Sequence, residues 1–592
     1  MIRRDYLFEW IWTAIMVVAA STAVQAQRDS LISREVEVVK SFNPAAMDAQ
    51  KINTMPVIKD EEHKKPSFDY SISSQPVFST FSVTNLQAAT IVGKPKSDNG
   101  YGLLRLGVGN YNKPYGEFFF NNKSSTDFLF GIHFKHLSSH GKVKLENDEK
   151  VKAPFSDNEA EIYFKHMFRQ SILSVDFNFN HNGYNYYGYP GLYPTPADSM
   201  NLDTYLGERQ TLTKGGFNIN LQSLSKNKDA TIVGFDLKYH YLGTKTNQRE
   251  HFTNFDLNFK KPMGMAAFLL NAGIDFSQAT EIMTTDTIPE IGTRNQVWVY
   301  GKPAIYVGNE TINLKLGGRL WFTFDNQYQD KVRIAPDIRF NFIPVKEIIG
   351  LYAGVDGRNH HNYYSAVLYH NPFFNPQLTV KNHFEKLRFY GGLDGRITSK
   401  TNFKLEVAHS SFTDHPLYFM NKLLIPDLID PATEQEYTYY NNVFDVLYED
   451  MQTLKFNVEL THNVGEKFNL LLSGNYYKYY MDLQEKPWNM PEFDATFTLS
   501  CQVTERLKLA ADVFVVGQRD ALAIINNADE TFTNEIHPLG AVIDLNARGV
   551  FDITSKFSIF AQLNNFGFQK YERWLGYPVQ SFNFLGGISI SF

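Results

Sequence analysis

Two histidines stand side by side in "GRNHHNYY" (357–364), and imidazole serves both as a general base near neutral pH and as a metal ligand. Spacing limits what His360 and His361 can do. Neighbouring residues of an extended segment project to opposite sides, so an adjacent pair seldom chelates one ion. The pair reads as a polar loop rim, not as a metal site. Hydrolytic chemistry would need acid–His or Ser–His groups that converge. The 16 His of the chain and its many Ser and Asp residues form no distinctive constellation, so neither an enzyme nor a cofactor is expected. The other chemically suggestive stretches are aromatic. "YNYYGYPGLYPTP" (184–196) carries Tyr186, Tyr187 and Tyr193, and "YYSAVLYHNPFFNP" (363–376) carries Tyr363, Tyr364, Phe373 and Phe374. "PLYFMNKLLIPDL" (416–428) is similar in style. Such rings can stack on a sugar or anchor a protein partner. They can equally pack large loops against one another, so ligand contact and loop packing are both carried forward.

These loops must be held by something, and from about residue 101 onward the pattern is a period of two. Phe128, Phe130, Ile132 and Phe134 oppose Leu129, Gly131, His133 and Lys135. Leu173, Val175, Phe177 and Phe179 oppose Ser174, Asp176, Asn178 and Asn180, and Phe493, Ala495, Phe497 and Leu499 alternate with Asp494, Thr496, Thr498 and Ser500. Alternation of this kind gives strands with one apolar face. That face can point inward, in a soluble sandwich, or outward, in a membrane barrel. Segments of about ten to fourteen residues suit a tilted membrane crossing better than the usual soluble strand of about five or six.

Connector lengths sharpen the choice. Short ones such as "TSK" (554–556), "TERL" (504–507), "NET" (309–311) and "RQS" (169–171) alternate with long ones near 139–160, 185–210, 280–294, 361–385, 414–448 and 519–537. Tight turns at one end and long loops at the other describe a transmembrane antiparallel β-barrel with periplasmic turns and extracellular loops. About 22 segments are expected, an even number as such barrels require, beginning with Gly102–Gly109, Tyr115–Asn122 and Asp127–Leu137.

Composition fits this reading. With 49 Phe and 33 Tyr the mean hydropathy is still slightly polar, as alternation produces. A net charge of −6 without a long basic run gives no indication of nucleic acid, and the single Cys501 excludes an intrachain disulfide. Residues 1–26 read as a secretory signal peptide, with two arginines, an apolar stretch and the small-residue exit Val24–Gln25–Ala26. Residues 27–100 show no sustained period and are expected to form a partly extended periplasmic extension; the barrel is placed at 101–592.

At its C-terminal end, "LNNFGFQKYERWLGYPVQSFNFLGGISISF" (563–592) resembles the last hairpin of TonB-dependent outer-membrane receptors, and "NPQLTVKNHFEKLRFYGGLDGRIT" (375–398) resembles their loop-to-strand passage. The aromatic style is similar to proteins of the Bacteroidetes group. The resemblance implies transport or binding of a nutrient at the cell surface, with outer-membrane lipid and the barrel-assembly machinery as surroundings. It implies a surface lipoprotein or a TonB-type energiser as further partners. Glu35, Val36, Glu37, Val38 and Val39, within "REVEVVKSF" (34–42), resemble a TonB-box-like strand that could pair with a partner's sheet edge. The departure is the plug domain: the 74 residues at 27–100 carry no plug motif. The lumen is therefore expected to be occluded by that extension, by in-folded loops or by a partner. The alternative function is a non-transporting barrel subunit of an assembly or secretion complex. Phe582, Phe584, Ile588, Ile590 and Phe592 resemble the terminal signal read during barrel insertion, with their strand closing the cylinder against Gly102–Gly109.

Overall fold

The computed structural model describes residues 101–188 and 209–592, apart from short stretches at 123–126, 146–147, 149, 226, 228, 285–288, 327–330, 347, 376–379, 430–435, 465–466 and 527–530. The signal and extension readings, Glu35–Val39 and Tyr193 lie outside the described residues.

Twenty-two strands close into one antiparallel barrel. The first seven are β1 Gly102–Gly109, β2 Lys113–Asn121, β3 Phe128–Ser139, β4 Phe155–Met167, β5 Ser171–Tyr184, β6 Gln210–Ser223 and β7 Ile232–Thr244. Next come β8 Arg249–Met263, β9 Ala266–Thr284, β10 Pro289–Gly308, β11 Ile312–Asp325, β12 Lys331–Val345, β13 Ile349–His360 and β14 His383–Thr398. The circuit finishes with β15 Thr401–Ile429, β16 Glu436–Val464, β17 Phe468–Met481, β18 Phe493–Gln502, β19 Leu507–Val516, β20 Val542–Asp552, β21 Phe557–Asn564 and β22 Asn583–Ser591. Each pairs with its chain neighbour, and β22 pairs with β1 from Leu103↔Ser591 to Gly109↔Leu585. Gly102 N–H donates to the Phe592 carbonyl at 2.9 Å and Phe592 N–H returns the bond at 3.0 Å. Closure leaves no free barrel edge. The backbones approach closely here, since a side chain on Gly587 would collide with the Leu106 carbonyl and the Phe560 ring.

Alternation sorts the faces as the sequence predicts. On β3, His133 and Lys135 are buried on the luminal side, whereas Phe134 is 46% exposed on the outside. Phe177 and Phe179 on β5 and Phe255 on β8 join the same outward apolar surface, which suits a lipid contact.

One end carries short turns, from two residues at 264–265 to eight at 224–231. Their chemistry is local. Gly264 at φ 64° supplies the left-handed residue of a two-residue hairpin. Thr504 and Thr554 each use Oγ1 to accept the N–H groups two and three residues on. At the other end the expected loops at 280–294 and 414–448 are largely strand. The β9–β10 ribbon pairs out to Thr284↔Pro289, and the β15–β16 ribbon runs out to Ile429↔Glu436. Prolines and polar residues there read as loop punctuation, but the β9–β10 pairing runs through without a shift and register shifts accommodate them in the β15–β16 ribbon, where Pro426 falls in the shift between Leu424 and Ile429.

Among the described residues four features at the long-loop end are additional to the barrel, the first a short hairpin of Lys142–Lys144 with Lys150–Lys152 between β3 and β4. The connection between β13 and β14 contains a seven-residue helix α1, Tyr364–His370. That between β19 and β20 contains a hairpin, Arg519–Asn526 with Phe532–Leu539, whose first strand adds in parallel to β15 through Met420↔Ala523 to Leu423↔Asn526. A two-residue pairing of Glu572–Trp574 with Tyr577–Pro578 sits between β21 and β22.

Candidate functional site: a loop roof over a polar lumen

The connections of the long-loop end pack on one another. Tyr186 after β5, Phe373 after α1, Met420 of β15, Val443 and Phe444 of β16, Ala523 of the hairpin, and Trp574 and Tyr577 before β22 form one buried apolar cluster. The Phe373 and Tyr577 rings stack at 3.5 Å, and the Phe444 and Trp574 rings meet at 5.3 Å. Backbone bonds reinforce the cluster: Phe374 bridges to Phe444, with Phe444 N–H donating to the Phe373 carbonyl at 2.8 Å. Tyr187 Oη donates to the Pro578 carbonyl at 3.1 Å. Arg519 donates to the carbonyls of Arg573 and Glu572 at 2.9 and 2.8 Å, and burial lowers its guanidinium to about 10. Asn489, after β17, donates to the Tyr418 carbonyl at 2.8 Å.

Five connections, those following β5, β13, β17, β19 and β21, therefore meet the outer part of the β15–β16 ribbon. Strands β5 and β15 lie ten places apart around a ring of 22, almost diametrically. Contacts between their ends must cross the mouth of the barrel, so this body is a roof over the lumen. Full burial of an aromatic or large aliphatic side chain is worth about 1.5–3 kcal/mol, and several such residues make the roof a stable closure.

On one side the roof is tied to the wall by polar anchors. Glu250, at the roof end of β8 and 1% exposed, accepts the backbone N–H of Tyr364 at 2.6 Å and that of Ser365 at 3.4 Å. His240 of β7 contacts the same carboxylate at 3.1 Å and Ser365 Oγ at 3.2 Å. Arg294 of β10 forms a two-point ion pair with Asp325 of β11, its closest contact 2.7 Å, and donates Nη1–H to the Val380 carbonyl at 2.6 Å. His361 stacks on Trp298 of β10 at 4.4 Å and meets Gln296 Oε1 at 3.1 Å. The amide oxygen is an acceptor, so His361 Nε2 carries the proton, and Nδ1 is buried without a partner. Burial, and then the Arg294 charge, pushes His361 down to about 3.

The described aromatic residues singled out in the sequence, Tyr193 therefore aside, sit in the roof. Tyr186, Tyr364, Phe373 and Phe374 are buried in its interior. Tyr187 packs against that interior, and Tyr363 lies between Phe252 at 4.4 Å and His361 at 4.1 Å. A ligand could touch the buried four only after the roof rearranges. His360 and His361 diverge, His361 to Trp298 and His360 to a parallel stack on His383 at 4.2 Å. Parallel ring planes share no point at which both could ligate one ion. Phe584, Ile588 and Phe592 are exposed on the barrel's outer face, Ile590 is half-buried, and Phe582 stacks on Phe568 at 5.0 Å.

Glu250, Arg294, Gln296 and Trp298 were not singled out from sequence. Their strands identify them only as wall residues, and nothing in local spacing links them to a loop as far as 115 residues away. The one available signal was a charge on the inward face at the loop end of a strand.

Below the roof the lumen is polar and cross-linked. On one arc Asp337 binds Lys315 at 2.6 Å and Arg319 at 2.9 Å; Arg319 reaches Asp356 at 3.6 Å; and Arg388 joins Asp356 and Glu406 at 3.9 and 2.6 Å. The neighbouring arc uses amides: Asn220 and Asn258 donate to Asp236, Asn271 to Asp256, and Tyr300 Oη to Asp256. A groove of about 750 Å³ runs along this wall. It begins at Arg358 and Asn359, next to the roof segment, crosses β13 to β6, and finishes at Gln222 and Ile232 by the short turns.

No family model matches the chain, and no curated protein matches it in sequence. Solved structures do match in fold. The ferripyoverdine receptor of the outer membrane of Pseudomonas aeruginosa aligns with a TM-score of 0.59 at 11% identity, covering 83% of this chain and 72% of that one. The siderophore receptor PirA from Acinetobacter baumannii gives 0.59 at 8% identity over 83% and 80%. The copper transporter OprC gives 0.57 at 10% identity over 83% and 82%. At these identities the likeness is one of fold.

Proposed function

We propose that this chain is an outer-membrane barrel that takes up or binds a nutrient at the cell surface, with the loop roof as its gate and no catalytic role. The carrying observation is the roof itself, which spans a 22-stranded lumen from both sides and is tied to one wall by polar anchors that can be undone without unfolding strands. A barrel serving only as a scaffold has no evident use for a groove, carrying cations and amides, that leads from beneath its roof to the other end. The fold shared with an outer-membrane receptor, a siderophore receptor and a copper transporter supports transport, as does the receptor resemblance of the last hairpin. On this reading the long-loop end is extracellular and the short turns are periplasmic. Outward Phe and Ile residues contact lipid, and Phe584, Ile588, Ile590 and Phe592 contribute to insertion by the assembly machinery. The receptor resemblance also supports Glu35–Val39 as a strand for a TonB-type energiser, with a surface lipoprotein as a further partner in the Bacteroidetes manner.

The gate reading is tested by locking the roof. Phe374 and Phe444 are bridge partners, so Phe374→Cys with Phe444→Cys brings two thiols within disulfide reach. Growth of cells that depend on the protein for a limiting nutrient is expected to fail under oxidising conditions and return on reduction. Equal growth with the lock verified closed would rule the gate out.

A further inference from the structure

We propose that the luminal groove is a transit site for an anionic solute, one bearing carboxylate or phosphate groups. This rests on the uptake reading and supplies its cargo chemistry. The chain as a whole is acidic, with a formal charge of −6, yet the groove reverses that sign. Lys260, Lys302, Lys315, Arg319 and Arg358 line it against only Asp236 and Asp337. Asp337 is already shared by Lys315 and Arg319 at 2.6 and 2.9 Å, and Asp236 is occupied by two amides.

Three cations remain. Among the described residues, Lys260, Lys302 and Arg358 make no direct ion pair, although Asp256, Asp275 and Asp337 act on Lys302 at longer range, as do Asp356 and Glu385 on Arg358; Lys302 also faces the Tyr300 ring at 4.5 Å. Their placement matters as much as their number. Arg358 lies near the roof end of β13, Lys302 six residues before the short-turn end of β10, and Lys260 three residues before the short-turn end of β8. They mark the beginning, the lower middle and the exit of the groove. Like charges spaced along a narrow wall attract a counter-ion, while no single point holds it so tightly that it cannot leave. Amides line the intervals, Asn258, Asn271 and Asn359 among them, and can donate hydrogen bonds to the oxygens of such a solute. A neutral solute would not explain the excess of lining cations over lining carboxylates along the groove.

The test uses the full-length protein with citrate and inorganic pyrophosphate as separate probes, so that carboxylate and phosphate preference are read independently. Saturable binding of at least one is expected, weakened ten-fold or more by Lys260→Gln with Lys302→Gln and preserved by Lys260→Arg with Lys302→Arg. In planar bilayers, a Glu250→Ala protein with its roof loosened should pass chloride in preference to potassium, and adding the two glutamine changes should shift the reversal potential toward potassium. Both methods together decide the matter. Equal binding by wild type and the glutamine variant, or no saturable binding of either probe, with an unchanged reversal potential, would overturn the anion groove. The disulfide lock would still report on uptake, so failure of the groove and failure of the gate are separable.

Discussion

Glu250→Ala should open the roof on one side. In the closed state this carboxylate accepts two N–H groups from the first turn of α1, one at 2.6 Å and one at 3.4 Å, and touches His240 at 3.1 Å. Hydrogen bonds to a charged group contribute about 1.5–3 kcal/mol each, and an unsatisfied buried partner costs about 1–3 kcal/mol. The longer contact counts for little and opening admits water, so a net loss of about 3 kcal/mol is expected, raising the open fraction of segment 361–375 by about 150-fold. Glu250→Gln keeps an acceptor but loses the charge and should cost about 1 kcal/mol, or roughly five-fold. Hydrogen exchange with mass spectrometry on peptides covering 361–375 reads this directly, with peptides from β11 as the internal reference. Unchanged protection of 361–375 in a correctly folded Glu250→Ala barrel would show that the carboxylate does not hold the roof.

Acid should loosen the same segment. His361 is held neutral, at about 3 against an ordinary 6.5, by burial and the Arg294 charge. The open roof therefore binds more protons than the closed one, and closure loses stability as pH falls from about 6.5 toward 3, with no further loss below. Exchange corrected for its intrinsic pH dependence should rise across that window, and His361→Gln should flatten the profile. Removal of Phe592 should lower the surface level of the barrel, because it deletes the paired bonds to Gly102 at the closing seam; surface labelling equal to wild type would contradict this.

The fold was largely legible because a barrel strand declares itself locally. A period of two assigns every residue to a face, and the faces of β3 and β5 follow from sequence spacing alone. Strand number was legible for a similar reason, since short turns such as those at Thr504 and Thr554 carry their own side-chain signature. The roof was not. Its parts are separated by up to several hundred residues, as where Tyr187 meets Pro578, and no periodicity relates them. The aromatic loops announced that something packs there without saying whether ring would meet ring or ligand. Helix α1 was also hidden: seven residues give no usable helical period, and its first turn is satisfied by Glu250 from another strand, with no side-chain cap of its own.

The two sides of the roof are held by different physics, and this gives opening a direction. Toward β15 and β16 the roof is continuous with the barrel, through long ribbons and the hairpin that adds to β15 by backbone pairing. Moving that side means breaking several sheet bonds at once. Toward β8 and β10 it is held by side chains only: Glu250, Arg294, Gln296 and the Trp298 face. These can be exchanged one at a time for water or for a ligand's own polar groups. The roof should therefore lift from the β8–β10 wall and stay attached at β15. That wall is also where the groove runs, and Arg358 and Asn359 at its upper end directly precede His360 and the roof segment. Release of the weaker side uncovers the first cation of the groove, so a solute able to compete for the anchors also gains the path beneath them. Protection from exchange should consequently be lost at 361–375 while 417–419 and 445–447, which pair with each other, remain protected, and loss in both regions together would mean that the roof opens as one body.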